Sequence, residues 1–258
     1  MGINRVAEFT ALVKERLDVP ELASYTFRDY DPPPEWAAAL VIRAKDQGIL
    51  DIRAQQVAGG GWSLAYVGPL VSTVTGGHRV STVFWTYNKA DNSRMFAREA
   101  AISLAAAARL VLDFGHPVEA VQLESDGGAV DGVAFDRFGA GARPILGIEA
   151  KVRDPELRAL VKGVAECGGV GDEEAHRTGM RDAGLTFEQN WPKNQHRKCP
   201  FLLAHQPVGF WVVSEGLPVG EVFVARPIQG RFILVPESLE TLHRDRLLDA
   251  LGNCCRRV

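Results

Sequence analysis

The sequence predicts a mixed α/β (α+β) fold, and three observations predict it. Several segments carry apolar residues at helical spacing. Others are short β-branched and aromatic runs bounded by glycine and proline. The hydrophobic content, 46% of 258 residues, is ample for a buried core and argues against wholesale disorder.

Residues 3–17 read as an amphipathic helix, with Val6, Phe9, Leu12, Val13 and Leu17 on one stripe. Pro20 and the run Asp31, Pro32, Pro33, Pro34 interrupt the chain. Pro34 suits the first turn of a second helix over about 34–47, closed by Gly48. Residues 50–88 are β-like, with runs Ile52–Val57, Trp62–Val67 and Val80–Tyr87 and turns at Gly59–Gly61 and Gly76–Gly77. Residues 1–90 are therefore taken as an N-terminal α+β extension, whose role the sequence does not disclose, and 91–258 as the remainder.

Asp91, Asn92 and Ser93 offer caps for a long helix over about 94–113, which Gly115, His116 and Pro117 close. Three strands follow: Val118–Leu123, a run beginning near Asp131 and a run ending near Lys151. Asp154 caps a helix to about Cys167. A polar stretch to about Gln189 reads as a loop or short helical excursion, and Trp191–Cys199 leads into a short apolar helix or turn. Strands are expected at Gly209–Ser214, Val219–Ala225 and Arg231–Val235, then a polar helix over about 237–251.

A formal charge of −3 and a pI near 6.1 exclude a broadly basic nucleic-acid-binding surface. Any polyanion would need a localised positive groove or metal ions. The four cysteines (Cys167, Cys199, Cys254, Cys255) form no CxxC pair and read as reduced thiols, the state of a cytoplasmic protein. No leader is expected at Met1–Phe9, and no apolar run is long enough to span a membrane. Gly59–Gly61 and Gly168–Gly171 fit neither a P-loop nor a dinucleotide fingerprint and read as turns.

The chemistry concentrates in Val130–Asp136 (VDGVAFD) and Pro144–Val152 (PILGIEAKV). Strand side chains alternate, so Glu149 and Lys151 share one face, while Ile148, Ala150 and Val152 share the other. A carboxylate on an apolar strand costs several kcal/mol, roughly, unless it is paired or bound to an ion. Asp131, Glu149 and Lys151 therefore need each other or a hard cation such as Mg²⁺, which prefers carboxylate oxygens.

An aspartate opening one strand and Glu-x-Lys near the end of the next resembles the PD-(D/E)xK nuclease superfamily. The order helix, three strands, helix, strand over 93–214 is also similar, and the resemblance covers about half the chain. Val130 stands where that family usually has proline, a residue without a chemical role. The resemblance implies a restriction-endonuclease-like αβββαβ core with a central mixed sheet, within 91–258. It implies a Mg²⁺-dependent nuclease, with Mn²⁺ as substitute, cleaving DNA or else RNA as an endo- or exonuclease. Asp131, Glu149 and the Ala150 carbonyl would hold metal, and Lys151 would position and activate water. Glu99, flanked by Ile102 and Ala106 at helical spacing, fits the outer acidic ligand that such proteins carry on the preceding helix; Glu124 and Asp126 are weaker rivals. Lys193, His196, Arg197 and Lys198 form a positive cluster suited to tracking phosphates. The alternative is a catalytically inactive module of the same fold, for nucleic-acid binding or protein assembly. A homodimer or a partner subunit is compatible with either.

Overall fold

The structure, a computed structural model, describes residues 4–16, 32–57, 61–72, 83–88, 93–123, 130–167, 195–206 and 208–255. Two helices open it, α1 (Arg5–Arg16) and α2 (Glu35–Asp46), close to the expected 3–17 and 34–47. Phe9, Leu12 and Val13 are the buried stripe of α1. The Glu35 carboxylate accepts the Arg5 and Val6 N–H groups at 3.0 and 3.2 Å, so α2 caps the free donors of α1.

Strands β1 (Asp51–Val57), β2 (Gly61–Val67), β3 (Val83–Asn88) and β4 (Ser93–Phe96) form an antiparallel sheet in chain order. Helix α3 (Pro69–Ser72) follows β2. β4 corrects an expectation, because residues from 94 onward were read as helix. Four residues are too few to separate a period of 2 from one of 3.6. Here pairing decides, with Trp85 opposite Phe96 and Asn88 opposite Ser93. Helix α4 consequently starts at Arg98 and runs to Phe114, with Ala97 rather than a polar residue at its N-cap. Gly115 closes it in the left-handed region (φ 74°), as its place after the apolar stripe predicts.

A second sheet has the order β10-β9-β8-β7-β6-β5. Its members are β5 (Val121–Leu123), β6 (Gly132–Phe135), β7 (Pro144–Lys151), β8 (Val208–Ser214), β9 (Glu221–Ile228) and β10 (Arg231–Glu237). β7 and β8 are parallel and the other pairs antiparallel, so the sheet is mixed. The chain reaches β8 from β7 through α5 (Asp154–Cys167) and α6 (Gln195–Ala204). Residues 118–120 form a 3-10 turn before β5. The expected C-terminal helix is a 3-10 turn (Leu239–Leu242) followed by α7 (Arg244–Cys255). No helix among the described residues is long and apolar enough to cross a membrane.

The second sheet is covered on both faces, and β8 shows how. Val208, Phe210 and Val212 face one core with Leu157, Leu160 and Val164 of α5 and Phe201 and Leu202 of α6. Trp211 and Val213 face the other, with Ile102, Ala105 and Ala106 of α4 and Leu247 and Leu251 of α7. Each large apolar side chain buried in this way contributes roughly 1.5–3 kcal/mol. Phe9, Val41, Ile52 and Leu64 join that second core, so α1, α2, β1 and β2 share an interior with the mixed sheet.

β7 alternates likewise. Leu146, Ile148 and Ala150 enter the α4 core, while Gly147 and Glu149 face α6. A Cβ on Gly147 would lie 3.0 Å from Phe201 Cε1, so the missing side chain lets α6 sit close to the sheet.

Candidate metal centre

The site forms where the C-terminal end of β7 meets the residue before β6 and the first turn of α4. Gly132 pairs with Ile148, which sets Asp131 beside Glu149 and Ala150. The Asp131 Oδ2 atom accepts the Ala150 N–H at 2.7 Å. That bond uses an N–H that the strand ladder leaves over once β6 has ended.

Lys151 Nζ donates to Glu99 Oε1 and, at 2.8 Å, to the Ala150 carbonyl, and it lies 3.0 Å from Glu149 Oε1. Carboxylate oxygens of Glu99, Asp131 and Glu149 all fall within 4.8 Å of one another. The sequence expectation that Asp131, Glu149, Lys151, Glu99 and the Ala150 carbonyl occupy one place is therefore met geometrically. The loss of residues 93–96 from α4 does not displace Glu99. It moves this carboxylate into the first helical turn, where the helix dipole favours negative charge.

The other side of Glu149 was not foreseen. Lys198, on α6, places its Nζ 3.1 Å from Glu149 Oε2. Both side chains are buried, at 1% and 0% exposure. The phosphate-tracking role expected of Lys198 is thus corrected: an ammonium this deep faces a carboxylate, not solvent. Lys193 lies outside the described residues, as do the side chains of His196 and Arg197, and Glu124 and Asp126 are outside them too. A signal for Lys198 did exist. Phe201 and Leu202, three and four residues on, put it on the apolar stripe of its helix. Its neighbour Cys199 is disulfide-bonded, with a partner outside the described side chains, which corrects the reading of four reduced thiols.

Charge explains the protonation behaviour. Three carboxylates meet two ammoniums. Burial, and after it the Glu149 charge, pushes the Asp131 carboxyl up to about 6, against the pull of Lys151, the Ala150 N–H and Lys198. Burial alone would lower the Lys151 pKa, but Glu149, Asp131 and Glu99 outweigh it and hold Lys151 above its ordinary value. In the metal-free protein Lys151 is therefore held as an ammonium, which can orient water or steady negative charge.

The site is closed on the α6 side and open on the α4 side. Lys151 is 16% exposed and Glu99 43%, against the sealed Glu149–Lys198 pair. Nearby, Ser214 donates to Asp154 Oδ1 at 2.5 Å, and Arg98 pairs with Glu215 at 2.5 Å. These contacts brace the ends of β8 and α4 beside Lys151, which is in register with Ser214.

The donor set fits a hard divalent cation. It offers carboxylate and carbonyl oxygens without sulfur or imidazole. Among the described residues neither oxygen of Glu149 receives a well-directed hydrogen bond, and the two lysines face it by charge. Fold and site together define a mixed α/β protein with an acid-and-lysine cluster at the C-terminal end of an inner strand of its larger sheet. Comparison with protein-family models, with curated proteins and with solved structures gives no match.

Proposed function

We propose that the protein is a Mg²⁺-dependent phosphodiesterase of the PD-(D/E)xK type, cleaving DNA or, as a second substrate, RNA. The observation that supports this most is the convergence of Asp131, Glu149, Glu99 and Lys151 at one partly open end of the inner strands of a mixed sheet. Asp131 and Glu149 would hold the ion, with the Ala150 carbonyl beside them and Glu99 in its outer shell. A bound Mg²⁺ supplies neutralisation of phosphate charge and a more acidic water at neutral pH.

The chain's own residues do the rest. Lys151, held charged, steadies the negative charge that grows on the phosphate as water attacks phosphorus in line and the 3′ oxygen leaves. Glu149 fixes Lys151 through Oε1, and Glu99 fixes it from the open side. The Ala150 N–H orients Asp131, so the aspartate is set before substrate arrives.

A second reading has one observation in its favour. Each oxygen of Glu149 already has a lysine within 3.1 Å, as in a purely internal ionic network. A scaffold with such a network would bind no metal. Calorimetric titration with Mn²⁺ separates the two readings, and it precedes cleavage assays on plasmid and single-stranded DNA with Mg²⁺ or Mn²⁺. Metal binding, followed by cleavage that Lys151→Ala and Asp131→Ala remove, is the expected result. Equal cleavage by the variants would overturn the site assignment.

A further inference from the structure

We propose that the tip of the β6–β7 hairpin, residues 136–143, is a binding surface for single-stranded nucleic acid, separate from the metal centre. The proposal takes from the reading above that the polymer is a nucleic acid. It adds which form of the polymer is bound and where it is held.

The tip carries positive charge that the protein leaves unneutralised. Arg137 and Arg143 are exposed, and Arg244 reaches the same loop from the start of α7. Among the described residues none of these three guanidiniums is ion-paired with a carboxylate. By contrast, Arg5, Arg43, Arg98 and Arg153 each face one. In a chain of net charge −3, three such groups on one loop supply the localised positive surface that a polyanion needs. Phosphate oxygens accept from planar guanidinium forks without regard to the base attached.

An aromatic ring shares that loop. Phe138 is 61% exposed, more than any other large apolar side chain among the described residues. An exposed ring alone is ordinary on a protein surface. Joined to unpaired arginines it matches the way single strands are held, with a base stacked on the ring and cations on the backbone. Bases inside a duplex present no free face, so the ring separates the two forms.

A pocket lies beside the ring, and a rigid frame carries it. Phe138 and Arg137 line an open pocket of about 360 Å³ together with Phe135 and Glu119. That volume is at the small end of ligand pockets and suits one nucleotide. The Glu119 carboxylate offers an acceptor to the exocyclic amino group of a base. The Asp136 N–H donates to the Arg143 carbonyl at 2.9 Å, and the Asp136 carboxylate accepts the Arg143 N–H at 2.8 Å. Arg137 donates to the Gly141 carbonyl at 2.9 Å, and Arg244 to the Asp136 carbonyl at 2.7 Å. Left-handed backbone at Gly139 (φ 98°) and Gly141 (φ 76°) permits this tight return. Ring and charges are thus set before a strand arrives.

The surface is distinct from the acidic cluster. β7 runs eight residues from Pro144, beside the tip, to Lys151. At about 3.3 Å per residue the two lie roughly 20 Å apart.

The test is fluorescence anisotropy of a labelled single strand of about ten nucleotides, in EDTA so that no metal takes part. Wild type should bind it more tightly than the matching duplex. Phe138→Ala and Phe138→Leu should each weaken single-strand binding by about tenfold and leave its salt dependence unchanged. Phe138→Trp, which keeps a ring, should bind at least as tightly as wild type. Arg137→Gln combined with Arg143→Gln should reduce the salt slope of log affinity by about 1.4, the loss of two phosphate contacts. Wild-type protein that binds the strand no more tightly than the duplex overturns the proposal. So do Phe138→Ala and Phe138→Leu proteins that bind as wild type does. Failure of Mn²⁺ binding would remove the nuclease reading and leave this surface standing. Failure of wild type to bind the strand in EDTA removes the surface and leaves the metal centre.

Discussion

The two sides of Glu149 are built differently from the same chemistry. On the α6 side, one carboxylate oxygen meets one ammonium in a sealed apolar layer. On the α4 side, the other oxygen meets Lys151 in a group that includes Asp131 and the half-exposed Glu99. The closed half is a stability element that tolerates no loss of a partner. The open half is overcharged with carboxylates, a repulsion that a bound cation would relieve.

Breaking the closed half should give the largest effect on stability. Glu149→Ala leaves Lys198 buried without its carboxylate and should lower unfolding free energy by about 3–5 kcal/mol in urea titrations. A loss below about 1 kcal/mol would show that the other contacts of Lys198 compensate its charge.

The open half should respond in activity first. Lys151→Ala is expected to lower kcat for DNA cleavage by about 10²-fold or more, with the protein still folded. KM should move little, because the ammonium acts mainly on charge that develops in the reaction.

Asp131 gives the comparison a pH axis. Its folded pKa of about 6 lies above the ordinary value of 3.8, so the folded state binds the extra proton between those limits. Metal-free stability should therefore be favoured below about pH 4 and fall as pH rises to 6. The penalty, up to about 3 kcal/mol, is complete above pH 6. Asp131→Asn, whose amide oxygen can still accept the Ala150 N–H, should be more stable than wild type at pH 8 and no different at pH 4. Metal affinity of the wild type should drop below pH 6. Thermal unfolding with and without Mn²⁺ at both pH values measures this, and a pH-independent difference would remove Asp131 from the account.

The smallest effect belongs to Glu99. At 43% exposure, its ion pair with Lys151 contributes less than about 1 kcal/mol to stability. Glu99→Gln should leave the denaturation midpoint nearly unchanged and weaken Mn²⁺ binding several-fold. The same affinity as wild type would reduce Glu99 to a surface partner of the lysine.

The open half was legible in the sequence and the closed half was not, for a physical reason. Asp131, Glu149 and Lys151 stand on short apolar strands, where a period of 2 fixes which side chains share a face. The pairing that sets Gly132 opposite Ile148 brings them together, although the register shifts between Ala134 and Phe135. Lys198 joins them through the packing of α6 on the sheet, across a chain separation that no local pattern encodes. Its neighbours Lys193, His196 and Arg197 made it look like part of a solvated charge run. β4 escaped for the opposite reason: its four residues fit two periods equally, and only pairing with β3 decides between them.

Gly147 shows how little material governs this depth. Two residues before Glu149, the methyl it lacks is what leaves room for the Phe201 ring. Alanine there would set its methyl 3.0 Å from Phe201 Cε1, so the ring, three positions from Lys198, would have to give by a few tenths of an ångström. An atom the chain never carries thus sets the gap across which one charge finds another.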